Sequence, residues 1–173
     1  MLALTGCAPR AITVPGLPSA VPLGTVAENR AAFAQGYRAF RSGQAADVVA
    51  IFGALARVYP ALGDYHLYFL GMAHAQRGDA EAADTAFRDL LHEYPQSVNA
   101  VPASLELGEV LVRAGQTAEA RPFLQRALTA PDAGTVQRAR LALAQADEHD
   151  GNVGTAYAAF MALRHDAPTS GVD

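Results

Sequence analysis

Five histidines, one cysteine and 17 acidic residues are the side chains of this 173-residue sequence that could hold a metal or run acid–base or nucleophilic chemistry. A metal site needs at least three convergent ligands. His66 and His74 stand eight apart on one predicted helix, His92 and His165 fall near helix ends, and His149 lies in the turn Glu148-His149-Asp150-Gly151. Surface or C-terminal helix positions account for all five, so no metal is expected. Asp147, Glu148 and Asp150 lack the alternating acids and distal Glu of a calcium loop, and a solvated turn is expected there. Glu106 and Glu109 sit one turn apart, a spacing suited to solvated or groove-lining carboxylates. No Gly-x-Ser-x-Gly elbow occurs, and Cys7 is remote from every histidine in sequence. A single cysteine forms neither an intrachain disulfide nor a Cys-based metal site. All 13 basic residues are Arg. The chain therefore has no phosphate-loop or Schiff-base Lys, and with a net charge of −4 its scattered arginines form no cluster that could follow a nucleic-acid backbone. No catalytic residue, cofactor or nucleic-acid partner is expected.

The elements that would position these side chains repeat along the chain. Leu70-Gly71, Gly78-Asp79, Ala83, Phe87 and Tyr94-Pro95 recur, shifted by 37 residues, as Leu107-Gly108, Gly115, Ala120 and Leu124. A further 36 residues on they recur as Leu143-Ala144, Gly151, Ala156, Phe160 and Pro168, and 35 residues back as Gly36, Gly43, Phe52 and Tyr59-Pro60. Phe33, Tyr37 and Phe40 step by three and four, as do Val48, Phe52 and Leu55, which is the period of amphipathic helices. Thr25 with Glu28 predicts a capping box at the start of the first helix. The small residues Gly36, Gly71, Gly108 and Ala144 share one register position. Because Gly costs a helix interior about 1 kcal/mol relative to Ala, they predict close approach of the paired helix. Pro102 fits a first helical turn, while Pro122, inside a second helix, should remove one hydrogen bond and bend that helix slightly.

This pattern resembles the tetratricopeptide repeat, with its period of about 34 residues. The resemblance covers roughly residues 26–170 and implies an all-α, right-handed superhelix of four helix-turn-helix repeats. In that family the groove is lined from each first helix. The matching positions here are Arg30, Phe33, Tyr37 and Phe40; Tyr65, Tyr68 and Met72; Leu105, Glu109 and Val112; and Arg138, Leu141, Gln145 and Glu148. A protein or peptide partner on this concave face is implied. Phe33 and Phe40 are equally suited to filling space between helices, and the basic carboxylate clamp of chaperone-binding repeats has no match.

Leu4-Thr5-Gly6-Cys7 resembles the lipobox of bacterial lipoproteins, in which the cysteine is acylated, although only Met1-Leu2-Ala3 precede it. Residues 8–24 hold Pro9, Pro15, Pro18 and Pro22 without helical period, which predicts an extended tether. Residues 1–24 are thus expected to be a signal remnant and tether, 25–170 the repeat domain, and 171–173 the start of a further repeat or linker. A membrane contact through lipid on Cys7 follows, in the bacterial periplasm and at the outer membrane. The octet Asp64-Tyr65-His66-Leu67-Tyr68-Phe69-Leu70-Gly71, with Tyr94-Pro95-Gln96-Ser97 and Ala167-Pro168-Thr169-Ser170, is similar to the superhelical region of soluble lytic transglycosylases. That likeness implies a link to peptidoglycan machinery, but the Glu-Ser motif of the catalytic domain is absent from this sequence. The last helix carries Val153, Ala156, Tyr157, Phe160, Met161 and Leu163, more apolar surface than one neighbour can cover, so a continuation past Asp173 or a second chain is expected against it.

Overall fold

The computed structural model describes residues 24–166. Cys7, the proline-rich tether and the junction at Pro168 lie outside the described residues. Eight α-helices follow one another: α1 (Val26–Arg41), α2 (Ala45–Val58), α3 (Gly63–Arg77), α4 (Ala80–Glu93), α5 (Ala100–Arg113), α6 (Thr117–Ala127), α7 (Ala133–His149) and α8 (Val153–Asp166). A 3-10 turn, Pro60–Leu62, precedes α3. Each helix packs on the next in the chain, so the architecture is an all-α superhelix of four helix pairs. Among the first helices, α5 also approaches α3 and α7. The first helices therefore line the inner, concave side, and the second helices lie on the outside.

Local sequence dictates each break. The Thr25 hydroxyl accepts from the Glu28 amide while the Glu28 carboxylate accepts from the Thr25 amide, the reciprocal cap expected at the start of α1. Gly43, Gly78, Gly115 and Gly151 all have positive φ. At each, the following residue donates its amide five residues back: Gln44 to Ala39, Asp79 to His74, Gln116 to Leu111 and Asn152 to Asp147, at 2.8–2.9 Å. This is the Schellman closure of a helix, and it reverses the chain into the second helix of every pair. Pro102 lies in the first turn of α5, as its missing N–H allows, and Pro122 is inside α6.

The shared small residues set the spacing within pairs. A Cβ on Gly36 would come within 2.8 Å of the Phe52 ring, and one on Gly71 within 2.6 Å of the Phe87 ring. Gly108 meets Leu124 in the same way. A backbone thus lies directly on a large side chain sixteen residues further on, and Phe52, Phe87 and Leu124 are fully buried as a result.

Between pairs the core divides in two. One cluster gathers Phe52, Leu55, Val48, Phe69 and Ala73 around the first pair and the inner side of α3. The other runs from Phe87 and Leu90 through Leu105, Leu107 and Leu111 to Leu124 and Ala142. Tyr68 packs against both. Polar clasps join the later pairs. Arg88 on α4 donates to Glu119 on α6 at 3.0 Å, and Arg121 on α6 donates to Asp147 and Asp150 at 2.8 and 2.6 Å. The acidic turn is therefore a ligand of Arg121 rather than merely solvated. The Thr117 hydroxyl adds a bond to Asp150 at 2.6 Å.

Candidate functional site

The concave face has two halves of different chemistry. Aromatic rings from α1 and α3 make the first. The Phe33 centroid lies 5.4 Å from Phe52, 6.3 Å from Tyr65 and 6.2 Å from Phe69, while Phe40 lies 4.9 Å from Phe69. Phe33 and Phe40 are half-buried and fill the space between helices. Tyr37 packs its ring edge on Phe69 yet keeps 42 % of its surface open. Tyr65 and Tyr68 are half-buried, and Met72 rests against the larger core with part of its surface free. Arg30 is exposed one turn before Phe33. This half therefore offers ring edges, tyrosine hydroxyls and one cation.

Charge makes the second half. Arg138 on α7 reaches across to α5 and donates to Glu109 at 2.8 and 3.0 Å and to Glu106 at 2.9 Å. Arg113 stands 3.9 Å from Glu109. Burial pushes the Glu106 carboxyl above the usual range, against the opposing pull of Arg138. Carboxylate hydrogen bonds hold the Arg138 guanidinium firmly protonated, Glu109 contributing most. Between the halves, burial and then the charge of Glu106 push the Tyr68 hydroxyl up to about 12. It stays protonated in neutral solution and can donate a hydrogen bond. Gln145, Leu141 and Glu148 lie exposed further along α7.

Two positions expected in the groove are not there. Leu105 and Val112 are buried in the larger core, because α5 is covered on two sides by α6 and α7. Glu106 belongs to the face in their place, and its spacing from Glu109 on a helix facing an Arg was the signal available. A second correction concerns His66, which is wholly buried among Phe33, Phe52 and Tyr59 with neither ring nitrogen hydrogen-bonded. It occupies no surface position. Among the described residues, no group of His, Cys, Asp and Glu is arranged to hold a metal ion.

Asp64 ties the octet of α3 to the junction that follows α4. Its carboxylate accepts from the Ser97 hydroxyl and from the Asn99 side-chain amide. The Tyr94 hydroxyl presses on Gly63, where any side chain would collide. The Asp-Tyr and Tyr-Pro-x-Ser elements are thus halves of one packing unit.

Residues 67–97, which cover most of α3, all of α4 and the junction, match the family described as "Tetratricopeptide repeat". A solved structure titled "MamA RS-1 ArsTM double mutant" is similar over 79 % of this chain and 74 % of its own, with 25 % identity and a TM-score of 0.68. No curated protein matches the sequence.

Proposed function

We propose, for a chain with a tetratricopeptide-type fold, that it is a protein-interaction scaffold of the bacterial cell envelope whose concave face receives a segment of a partner protein. The observation that carries this reading is the union of partly open aromatics with a charged triad on one continuous face. Tyr and Arg are residue types that dominate binding energy at interfaces and Met is enriched there, and Tyr37, Tyr65, Tyr68, Met72 and Arg138 stand there together. Apolar side chains of a partner would contact the tyrosine half. Its polar groups would meet Tyr68, Glu106 and Arg138, where burial already strengthens hydrogen bonds.

A photo-crosslinking amino acid at Tyr65 in the native host tests this. It should trap a protein partner, and Tyr68→Ala should abolish that adduct while the same label at the exposed Gln125 of α6, on the outer side and away from the concave face, traps a different set or none. Identical adducts from both labels would sink the concave-face reading.

The envelope placement rests on Cys7 and the residues around it. Acylation with two or more chains anchors stably, whereas one chain holds only marginally. Expressed behind a full-length signal peptide, the protein should sediment with outer membranes, and Cys7→Ala should release it to the periplasmic fraction. Among the described residues no single helix is long and apolar enough to cross a membrane. If the Cys7→Ala protein stayed membrane-bound, the lipid anchor would have to be abandoned.

A second reading takes the chain as the superhelical portion of a soluble lytic transglycosylase acting on peptidoglycan. The bond from Ser97 to Asp64 favours it, because it joins the two motifs that carry the resemblance. The same bond explains both motifs by packing alone. Co-sedimentation of the purified chain with isolated sacculi tests this reading, and absence of binding would leave the motifs purely architectural.

A further inference from the structure

The outer side of the superhelix carries an open crease of about 670 Å³ between α3 and α4, within the size range of ligand sites. Leu67, Leu70 and Ala86 form an apolar floor, and the carboxylates of Asp79, Glu81 and Asp89 stand around it. Asp79 is engaged by Arg77 at 2.9 Å and His74 at 3.4 Å, whereas Glu81 and Asp89 are exposed. None of these residues belongs to the concave face.

The repeat register relates the crease to the other pairs, and a smaller equivalent of about 310 Å³ lies in the fourth pair among Leu143, Asp147 and Ala159. One pair further along, the corresponding position is filled by the protein itself. Phe123 occupies the place of Ala86, and the Arg88 guanidinium lies 5.2 Å from its ring centroid, held by Asp84 and Glu119. At the first junction Gly53 stands where Arg88 stands at the second, and Ala82 where Glu119 stands. A Cβ on Gly53 would meet nothing within 4 Å. Ring, cation and anchoring carboxylate of the second junction thus have no counterpart at the register positions of the first.

We propose that this crease is a second docking site, which takes a basic segment of a partner protein. An aromatic side chain of that segment would lie on Leu67, Leu70 and Ala86, as Phe123 lies in its own pair, and a neighbouring Arg or Lys would meet Glu81 and Asp89. The charge around the crease selects for cations and against acidic segments.

Amide chemical shifts of the isotopically labelled full chain, titrated with the blocked tripeptide Arg-Trp-Arg and separately with Glu-Trp-Glu, provide the test. The basic peptide should shift the amides of Leu70, Ala82, Ala86 and Asp89 saturably, and the acidic one should bind about tenfold more weakly. Ala86→Phe, which copies Phe123, should reduce the response about fivefold by occupying the floor. The exposed double substitution Glu81→Lys with Asp89→Lys should do the same by charge reversal, and it carries the test alone if Ala86→Phe does not fold. Equal binding of both peptides, shifts confined to Tyr65, Tyr68 and Glu106, or a response that survives both variants would overturn the proposal. Shifts that depend on protein concentration without peptide, and vanish in the variants, would assign the crease to a second copy of this chain and overturn it as well.

Discussion

His66 has no exposed surface and no hydrogen-bond partner, and burial brings its pKa from the ordinary 6.5 down to about 4. Asp64 opposes that shift only partly. In the unfolded chain the imidazole takes up a proton near pH 6.5, but the folded chain does not follow until about pH 4. The unfolded state binds more protons across that window. Stability should therefore fall as the pH is lowered through it, by up to about 1.4 kcal/mol per pH unit. Urea unfolding at pH 7.5 and 5.0 measures the effect, and His66→Leu should flatten the dependence and stabilise the protein at the lower pH. An unchanged pH dependence in that variant would mean that His66 is not the group responsible. Sequence spacing hides this burial, since eight residues from His74 says nothing about which side of α3 meets α2. The stripe His66, Phe69, Ala73 at helical period was the readable sign. Arg138 behaves oppositely, being half-exposed yet bridging two carboxylates of low exposure. Arg138→Ala should cost about 1–2 kcal/mol, between the surface and buried limits for ion pairs. Adding Glu106→Gln should recover part of that loss in a double-mutant cycle, because it removes the like charge beside Glu109.

At the scale of the helix pair, the glycines of α1 to α5 separate into those that cannot change and one that can. Gly71→Leu should destabilise by about 1–3 kcal/mol or more, since Phe87 already occupies the space of a first side-chain atom. Gly53→Ala should stabilise by about 0.5–1 kcal/mol through helix propensity and unfolded-state entropy, because it faces open space in α2. Thermal denaturation of the two variants separates them by sign. The first set was legible as a register of small residues facing Phe52, Phe87 and Leu124, and so were the turn glycines and the cap at Thr25. What stayed hidden was the side each aromatic takes. Phe33, Phe40 and Tyr37 share one helical face in sequence, and only the position of Phe69 on the neighbouring helix decides that the first two are half-buried and Tyr37 stays open.

Across the described residues, each inner pair is covered on both sides, while α8 packs chiefly on α7. Val153 and Tyr157 are 68 % and 65 % exposed, and Met161 41 %. Solenoids transmit stability through nearest neighbours, so amide exchange in α8 should be the fastest among the eight helices and in α4 among the slowest. Protection of α8 equal to α4 would mean that a second chain covers its outer face in solution. The polar clasps carry one more consequence. Among the described residues, ion pairs bind the second pair to the third and the third to the fourth, but none joins the first pair to the second, whose contact is an aromatic cluster. Ion pairs weaken as dissolved salt screens them, whereas sulfate strengthens apolar burial and cooling weakens it. Ammonium sulfate should therefore tighten all three seams through their apolar cores, and the first by the widest margin because it loses no ion pair to screening, so that the balance of stability along one chain shifts with the salt around it.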